Sequence, residues 1–193
     1  MVSRDIQRSI RSHRGKGFTL METLITLAVA SIILTAAVPA MQDFVVRNRM
    51  STEVNTFIAS LYLARNEAVK RSQDVKICPT TDNKTCNGGN IWGGVDSNGT
   101  PIGWMVFQDV DNNDIVDTAT DALLQQNPPP PKRFLITGDN GRPNAKFRST
   151  GQAAGSNNTF VFCDTDNVAN TRKIYLSNDG RVRVDKLSTS DCS

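Results

Sequence analysis

The sequence predicts an α+β fold in which one long N-terminal helix packs on an antiparallel β-sheet domain. Three observations carry this reading. From Phe18 to Met41 the only ionisable side chain is Glu22, so these 24 residues are long enough, at about 1.5 Å per residue, to cross a hydrocarbon layer of roughly 30 Å as a helix. Beyond Pro39, apolar residues recur at Val46, Met50, Val54, Phe57, Ile58, Leu61, Ala64 and Ala68, while Arg47, Arg49, Glu53, Asn55, Arg65 and Glu67 fall between them. Spacings of three and four mark an amphipathic helix with one buried face. From Asp74 onward, short runs rich in β-branched and aromatic residues are separated by clusters of Gly, Asn, Asp and Pro, the pattern of strands and turns.

Taken in order, the chain divides into four parts. Residues 1–17 carry Arg4, Arg8, Arg11, Arg14 and Lys16 against a single Asp5, a positive charge that holds this end in the cytoplasm. Residues 18–41 read as the membrane segment, residues 42–71 as its amphipathic continuation, and residues 72–193 as an extracytoplasmic β-rich domain. A chain of 193 residues with a hydrophobic fraction of 38% has room for one membrane helix and one globular domain. A continuous helix from Phe18 to Lys70 would run roughly 80 Å, with Pro39 removing one backbone donor and kinking or loosening it. Ala36, Ala37, Val38 and Ala40 offer an ordinary signal peptidase a site that would release a soluble protein. Glu22 argues against that outcome, because a carboxylate inside an apolar segment costs about 2.5–3.5 kcal/mol on insertion scales and such groups have a partner or a task.

The basic cluster, Gly17, the run Phe18-Thr19-Leu20-Met21-Glu22 and the apolar stretch containing Pro39 resemble the class III leader and N-terminal helix of type IV pilins and type II secretion pseudopilins. The resemblance implies that residues 1–17 are a prepilin leader, that a prepilin peptidase cuts between Gly17 and Phe18, and that the new Phe18 amine is methylated. Glu22 then becomes the fifth mature residue, which in that family pairs with the N-terminal amine of a neighbouring subunit during assembly. A charge buried among packed helices needs such a countercharge. The implied partners are other major and minor pilins, met through this helix, together with the peptidase and the inner membrane. The implied course is single-pass insertion with the C-terminal domain in the periplasm, then a pilus at the cell surface.

Removing residues 1–17 leaves 17 basic and 18 acidic residues, a net charge of −1. That near-neutral total hides an asymmetry: residues 72–126 carry a net −6 and residues 127–193 a net +4, so the C-terminal part supplies the basic face. Cys78, Cys86, Cys163 and Cys192 all lie beyond the membrane segment, where an oxidising compartment favours disulfides. Of the three connectivities, Cys78 with Cys86 and Cys163 with Cys192 is favoured because each pairing closes a loop within one subregion. No C-x-x-C pair occurs and the only histidine is His13, so a zinc site is unsupported.

The strand runs are Val75–Ile77, Gly103–Phe107, Arg133–Ile136, Thr159–Cys163, Lys173–Leu176 and Val182–Val184, which predicts a sheet of six or seven strands under one helix. Asn178-Asp179-Gly180 signals a hairpin between the last two. Gly103-Trp104-Met105-Val106-Phe107-Gln108-Asp109 and Ile174-Tyr175-Leu176-Ser177-Asn178-Asp179-Gly180-Arg181-Val182-Arg183 resemble the minor pilins of the GspH/FimT/FimU type.

Asp109, Asp111, Asn113 and Asp117 alternate as in a calcium loop, but the sixth position is Asp114 and the twelfth Thr120. Both departures count against calcium, and an Asx-rich turn between strands accounts for the spacing. Residues 128–131 form a polyproline connection, and Trp92 and Trp104 read as core or rim residues. Catalysis is unsupported: beyond residue 17 there is no histidine to activate a nucleophile, and no cofactor is implied.

Arg181 and Arg183 flank Val182 just after the turn, so on a strand both face one way. Arg172, Lys173 and Lys186 lie nearby, and Arg142, Lys146 and Arg148 occupy a Gly/Asn-rich segment that forms an adjoining loop. Gly180-Arg181-Val182-Arg183 resembles the G-R-x-R motif of FimT-like minor pilins that capture extracellular double-stranded DNA for uptake in natural transformation. The resemblance implies contact through phosphates, without sequence preference. A solvated strand face or contact with the next pilin is the competing role for these arginines, and a type II secretion pseudopilin without DNA binding is the competing identity.

Overall fold

A computed structural model describes residues 17–117, 120–138, 141–167, 170–186 and 192, without the side chains of Ala36, Pro39, Ala40 and Lys186. Residues 1–17, expected to form the leader, lie outside the described residues apart from Gly17.

Helix α1 runs from Leu20 to Arg71 and continues through Pro39. Thr19 caps its start, with its hydroxyl accepting the Glu22 N–H at 3.2 Å, the arrangement of a Thr-x-x-Glu capping sequence. The chain forms two compact units, divided between Phe44 and Val45. In the first, the apolar side chains are exposed: Leu20 79%, Ile32 71%, Met41 63% and Phe44 60%. Among the residues searched, no helix is long and apolar enough to cross a membrane. The apolar run read from the sequence passes through Ala36, Pro39 and Ala40, whose side chains are outside that set.

In the second unit the rest of α1 buries the face that its spacing predicts. Met50, Val54, Phe57, Leu61, Ala64 and Ala68 are all buried, and Val46 and Ile58 pack beside them. They meet a sheet of nine strands among the described residues: β1 (Val75–Thr80), β2 (Ile91–Val95), β3 (Pro101–Gln108), β4 (Ala122–Asn127), β5 (Phe134–Gly138), β6 (Ala145–Phe147), β7 (Asn158–Asp164), β8 (Arg172–Leu176) and β9 (Val182–Lys186). The order is β6-β1-β3-β2-β5-β7-β8-β9, with β4 also on β3, and every pairing is antiparallel.

The six or seven strands expected from sequence become nine because β2, β4 and β6 carry weak local signals. Strand β2 contains Gly93 and Gly94, β4 reads Ala-Leu-Leu-Gln-Gln-Asn, and β6 is only three residues long. Alanine, leucine and glutamine favour helix in isolation, and pairing with β3 overrides that preference.

The core is aromatic. The Phe57 ring lies edge-on to Trp92, Trp104, Phe160 and Phe162, with centroids 4.7–5.9 Å away. Both tryptophans belong to this core. Strand β3 is covered on both faces: Trp104 and Val106 point to the helix, whereas Met105 and Phe107 join Cys78, Cys86 and Val116 on the other side. Disulfides join Cys78 to Cys86 and Cys163 to Cys192.

Candidate functional site

The C-terminal hairpin gathers some of the expected basic residues and separates others. Register places Tyr175 opposite Arg183, Lys173 opposite Asp185 and Arg172 opposite Lys186. Directly opposed residues share a face, so Lys173, Tyr175, Arg183 and Asp185 lie together on the face away from buried Ile174 and Leu176. The Arg183 guanidinium sits 4.9 Å from the centre of the Tyr175 ring, a cation–π geometry. Arg181 precedes β9 in the turn. The side chains of Arg181 and Arg183 are 84% and 72% exposed.

Each arginine has an acidic neighbour. Arg181 Nε is 2.9 Å from Asp179, and Arg183 Nη2 is 3.1 Å from Asp185. The Ser177 hydroxyl, with help from Arg181, holds the Asp179 carboxyl below its ordinary value. The hairpin face is therefore a balanced array of charges with a small positive excess.

The other candidates fall elsewhere. Arg172 is half-buried at the end of β8 remote from the turn and donates to the Thr171 and Asn170 carbonyls at 3.0 and 3.3 Å. Lys146 is on β6, at the opposite end of the sheet order, 3.3 Å from Asp74. Arg142 donates to the Gly155 carbonyl, and Arg148 is exposed. The segment between β6 and β7 does adjoin the hairpin. Gly155 N–H donates to Asn178 Oδ1 at 3.2 Å, and a Cβ added at Gly180 would stand 2.3 Å from the Gly151 carbonyl oxygen.

Arg65 Nη1 on α1 donates to the Gly180 carbonyl at 3.1 Å. The turn is thus seated on the helix and on the neighbouring loop. Asp179, Asp185 and Tyr175 set the charge and shape around the arginines, a role that sequence alone does not assign to them: Asp179 reads as a turn residue and Tyr175 and Asp185 as strand residues. The hairpin turn alone fixes which residues of β8 and β9 stand opposite, and that signal was available.

The acidic stretch after β3 has a structural use. Lys76, 5% exposed, reaches Asp109 at 2.5 Å and Asp114 at 2.7 Å. Burial opposes the lysine charge, but the two carboxylates outweigh it and raise its pKa; burial likewise opposes ionisation of Asp109, and Lys76 with the Asp114 N–H lowers it. Carboxylates of Asp109, Asp111 and Asp121 come within 4.8 Å of one another, with Asp109 already engaged by the lysine.

Residues 53–180 match the family model described as type II transport protein GspH. The chain belongs to the GspH family. Residues 12–38 match the prokaryotic N-terminal methylation motif, which marks this GspH-family member as a type IV pilin-like, pilus- or membrane-associated protein. Its fold is similar to the type IV minor pilin FimU of Pseudomonas aeruginosa, with a TM-score of 0.53 and 17% identity, covering 74% of this chain and 92% of that one. A second crystal form of FimU aligns at a TM-score of 0.46. Over 40 residues the chain is 48% identical to fimbrial protein EcpC of Eikenella corrodens, a match spanning 21% of this chain and 26% of that protein. The chain thus covers about a quarter of the length of that curated relative.

Proposed function

We propose that this GspH-family chain is a minor type IV pilin. In this reading it is cut between Gly17 and Phe18 by a prepilin peptidase and methylated at Phe18. Residues 18–41 hold it in the inner membrane until it is inserted, through that helix, at or near the tip of a pilus. The observation that carries the reading is the stretch 20–44: its only charged residues are Glu22 and Asp43 near its two ends, and Leu20, Leu27, Ile32, Ile33, Met41 and Phe44 are all 60% exposed or more. Water is a poor environment for that surface. Lipid before assembly and the helices of neighbouring subunits afterwards cover it, at about 25 cal/mol per Å² buried. Glu22 then has the task of meeting a neighbour's amine.

The test is filament composition. In piliated cells Gly17→Lys blocks processing, and Glu22→Gln leaves a processed chain that fails to enter sheared pili. A fully processed, fully incorporated Glu22→Gln chain refutes the assembly role. A chain found with secretion-system filaments and absent from pili identifies a type II pseudopilin instead.

A second function is favoured by the exposure of Arg181 and Arg183. Their side chains are 84% and 72% exposed beside the segment that follows β6, which begins at Arg148 and whose Gly155 carbonyl accepts from Arg142, a disposition suited to the phosphates of double-stranded DNA during uptake. Asp179 and Asp185 must be exchanged for phosphate, so contact through this face is weak and strongly salt-dependent. An Arg181→Gln/Arg183→Gln variant should reduce the slope of log K against log salt by about 2, at roughly 0.9 per phosphate contact. Equal slopes for both proteins remove these arginines from the DNA contact.

A further inference from the structure

On the helix, within the globular unit, one carboxylate is enclosed without being answered. Glu53 of α1 is half-buried, and among the described residues no hydrogen bond or ion pair reaches it. It opens on a depression of about 180 Å³ walled by Thr56, Trp104, Asn127, Pro128, Pro129 and Pro130.

The donors in that wall are turned elsewhere. Thr56 gives its hydroxyl hydrogen to the Thr52 carbonyl at 2.9 Å. Trp104 Nε1 and Asn127 Nδ2 both donate to Ser60 Oγ, at 3.0 and 3.3 Å. The three prolines have no N–H to offer. The wall therefore takes water from Glu53 and returns no hydrogen bond, and burial raises its pKa accordingly. A carboxylate held this way is unfavourable to the isolated chain.

We infer that the Glu53 depression is a socket for one cationic side chain, a lysine or arginine, of a neighbouring subunit in the filament. This rests on the assembly reading above. The sign of the charge selects a cation and excludes DNA. One carboxylate is too few for calcium, which takes six to eight oxygens. Proline and tryptophan surfaces suit the methylene stem of a long basic side chain, and the space equals roughly that of six water molecules.

The experiment compares the full chain with Glu53→Gln and Glu53→Lys in piliated cells, measuring the fraction recovered in sheared filaments. The melting temperature of each purified full-length protein is measured in detergent. Incorporation falls about tenfold for Gln, as expected when one partner of a desolvated charge pair is removed, and further for Lys. The melting temperature of the Gln variant equals or exceeds that of the unaltered chain, because an unpaired buried charge has been removed. Unchanged incorporation of both variants, alongside normal incorporation of the unaltered chain, overturns the socket and leaves the assembly reading standing. Absence of the unaltered chain from filaments overturns both. A lower melting temperature for Gln reveals a partner within the chain and overturns the socket.

Discussion

Replacing Phe57 by alanine tests whether the aromatic centre is what fastens the helix to the sheet. The side chain is fully buried and its ring is edge-on to four others at 4.7–5.9 Å. A Phe→Ala change in a core costs about 3–5 kcal/mol, and each well-oriented ring pair adds about 0.5–1.5 kcal/mol beyond burial. Four such pairs put Phe57 at the upper end, about 5 kcal/mol. For a domain of this size that corresponds to a fall in melting temperature of roughly 10–20 °C. The assay is thermal unfolding followed by near-ultraviolet circular dichroism, which reports the two tryptophans packed on this ring. A fall below about 4 °C, equivalent to about 1–2 kcal/mol, would refute the assignment of Phe57 as the main tie between α1 and the sheet.

Three other outcomes follow. Lys76→Met leaves Asp109 charged and buried without its partner, and should cost about 3–5 kcal/mol in denaturant unfolding; a neutral result would mean that water reaches Asp109. Gly180→Ala meets both a φ of +76° and the Gly151 oxygen, so it should destabilise the domain by more than about 1 kcal/mol, whereas Gly99→Ala, with φ +81° and open space around it, should cost less. Burial opposes ionisation of Asp82, but the N–H groups of Thr85 and Lys84 and the hydroxyls of Thr85 and Thr80 lower its pKa from 3.8 to about 2. Its stabilisation is present above 3.8 and is lost as pH falls toward about 2, so melting temperature should drop over that window, and less steeply in Asp82→Asn.

The long-range order of the domain was legible where periodicity is strong and illegible where it depends on pairing. Spacings of three and four mark the buried face of α1, and the short runs rich in β-branched and aromatic residues mark β1, β3, β5, β7, β8 and β9. Strand β4 was hidden because its residues favour helix locally, and β6 because three residues carry no period. The pairing of Lys76 with Asp109 and Asp114 spans 33 and 38 positions, beyond any local signal. Arg181 and Arg183 were visible as a pair, but the acids that share their charge read as ordinary turn and strand residues. Glu53 looked like one more polar residue on the solvated side of a helix, because the proline wall that closes over it lies more than 70 positions away in the chain.

The Cys163–Cys192 bond has a mechanical consequence. Strand β9 is the last in the sheet order, and pulling on the end of a chain ordinarily peels an edge strand one hydrogen bond at a time. Here Cys192 is tied covalently to Cys163 on β7. A load applied at the C-terminal end bypasses β9 and β8 and enters the interior of the sheet. The turn end of the same hairpin is held by hydrogen bonds from Arg65 and from the Gly155 N–H, so the basic face is tied down at its turn as well as beyond β9.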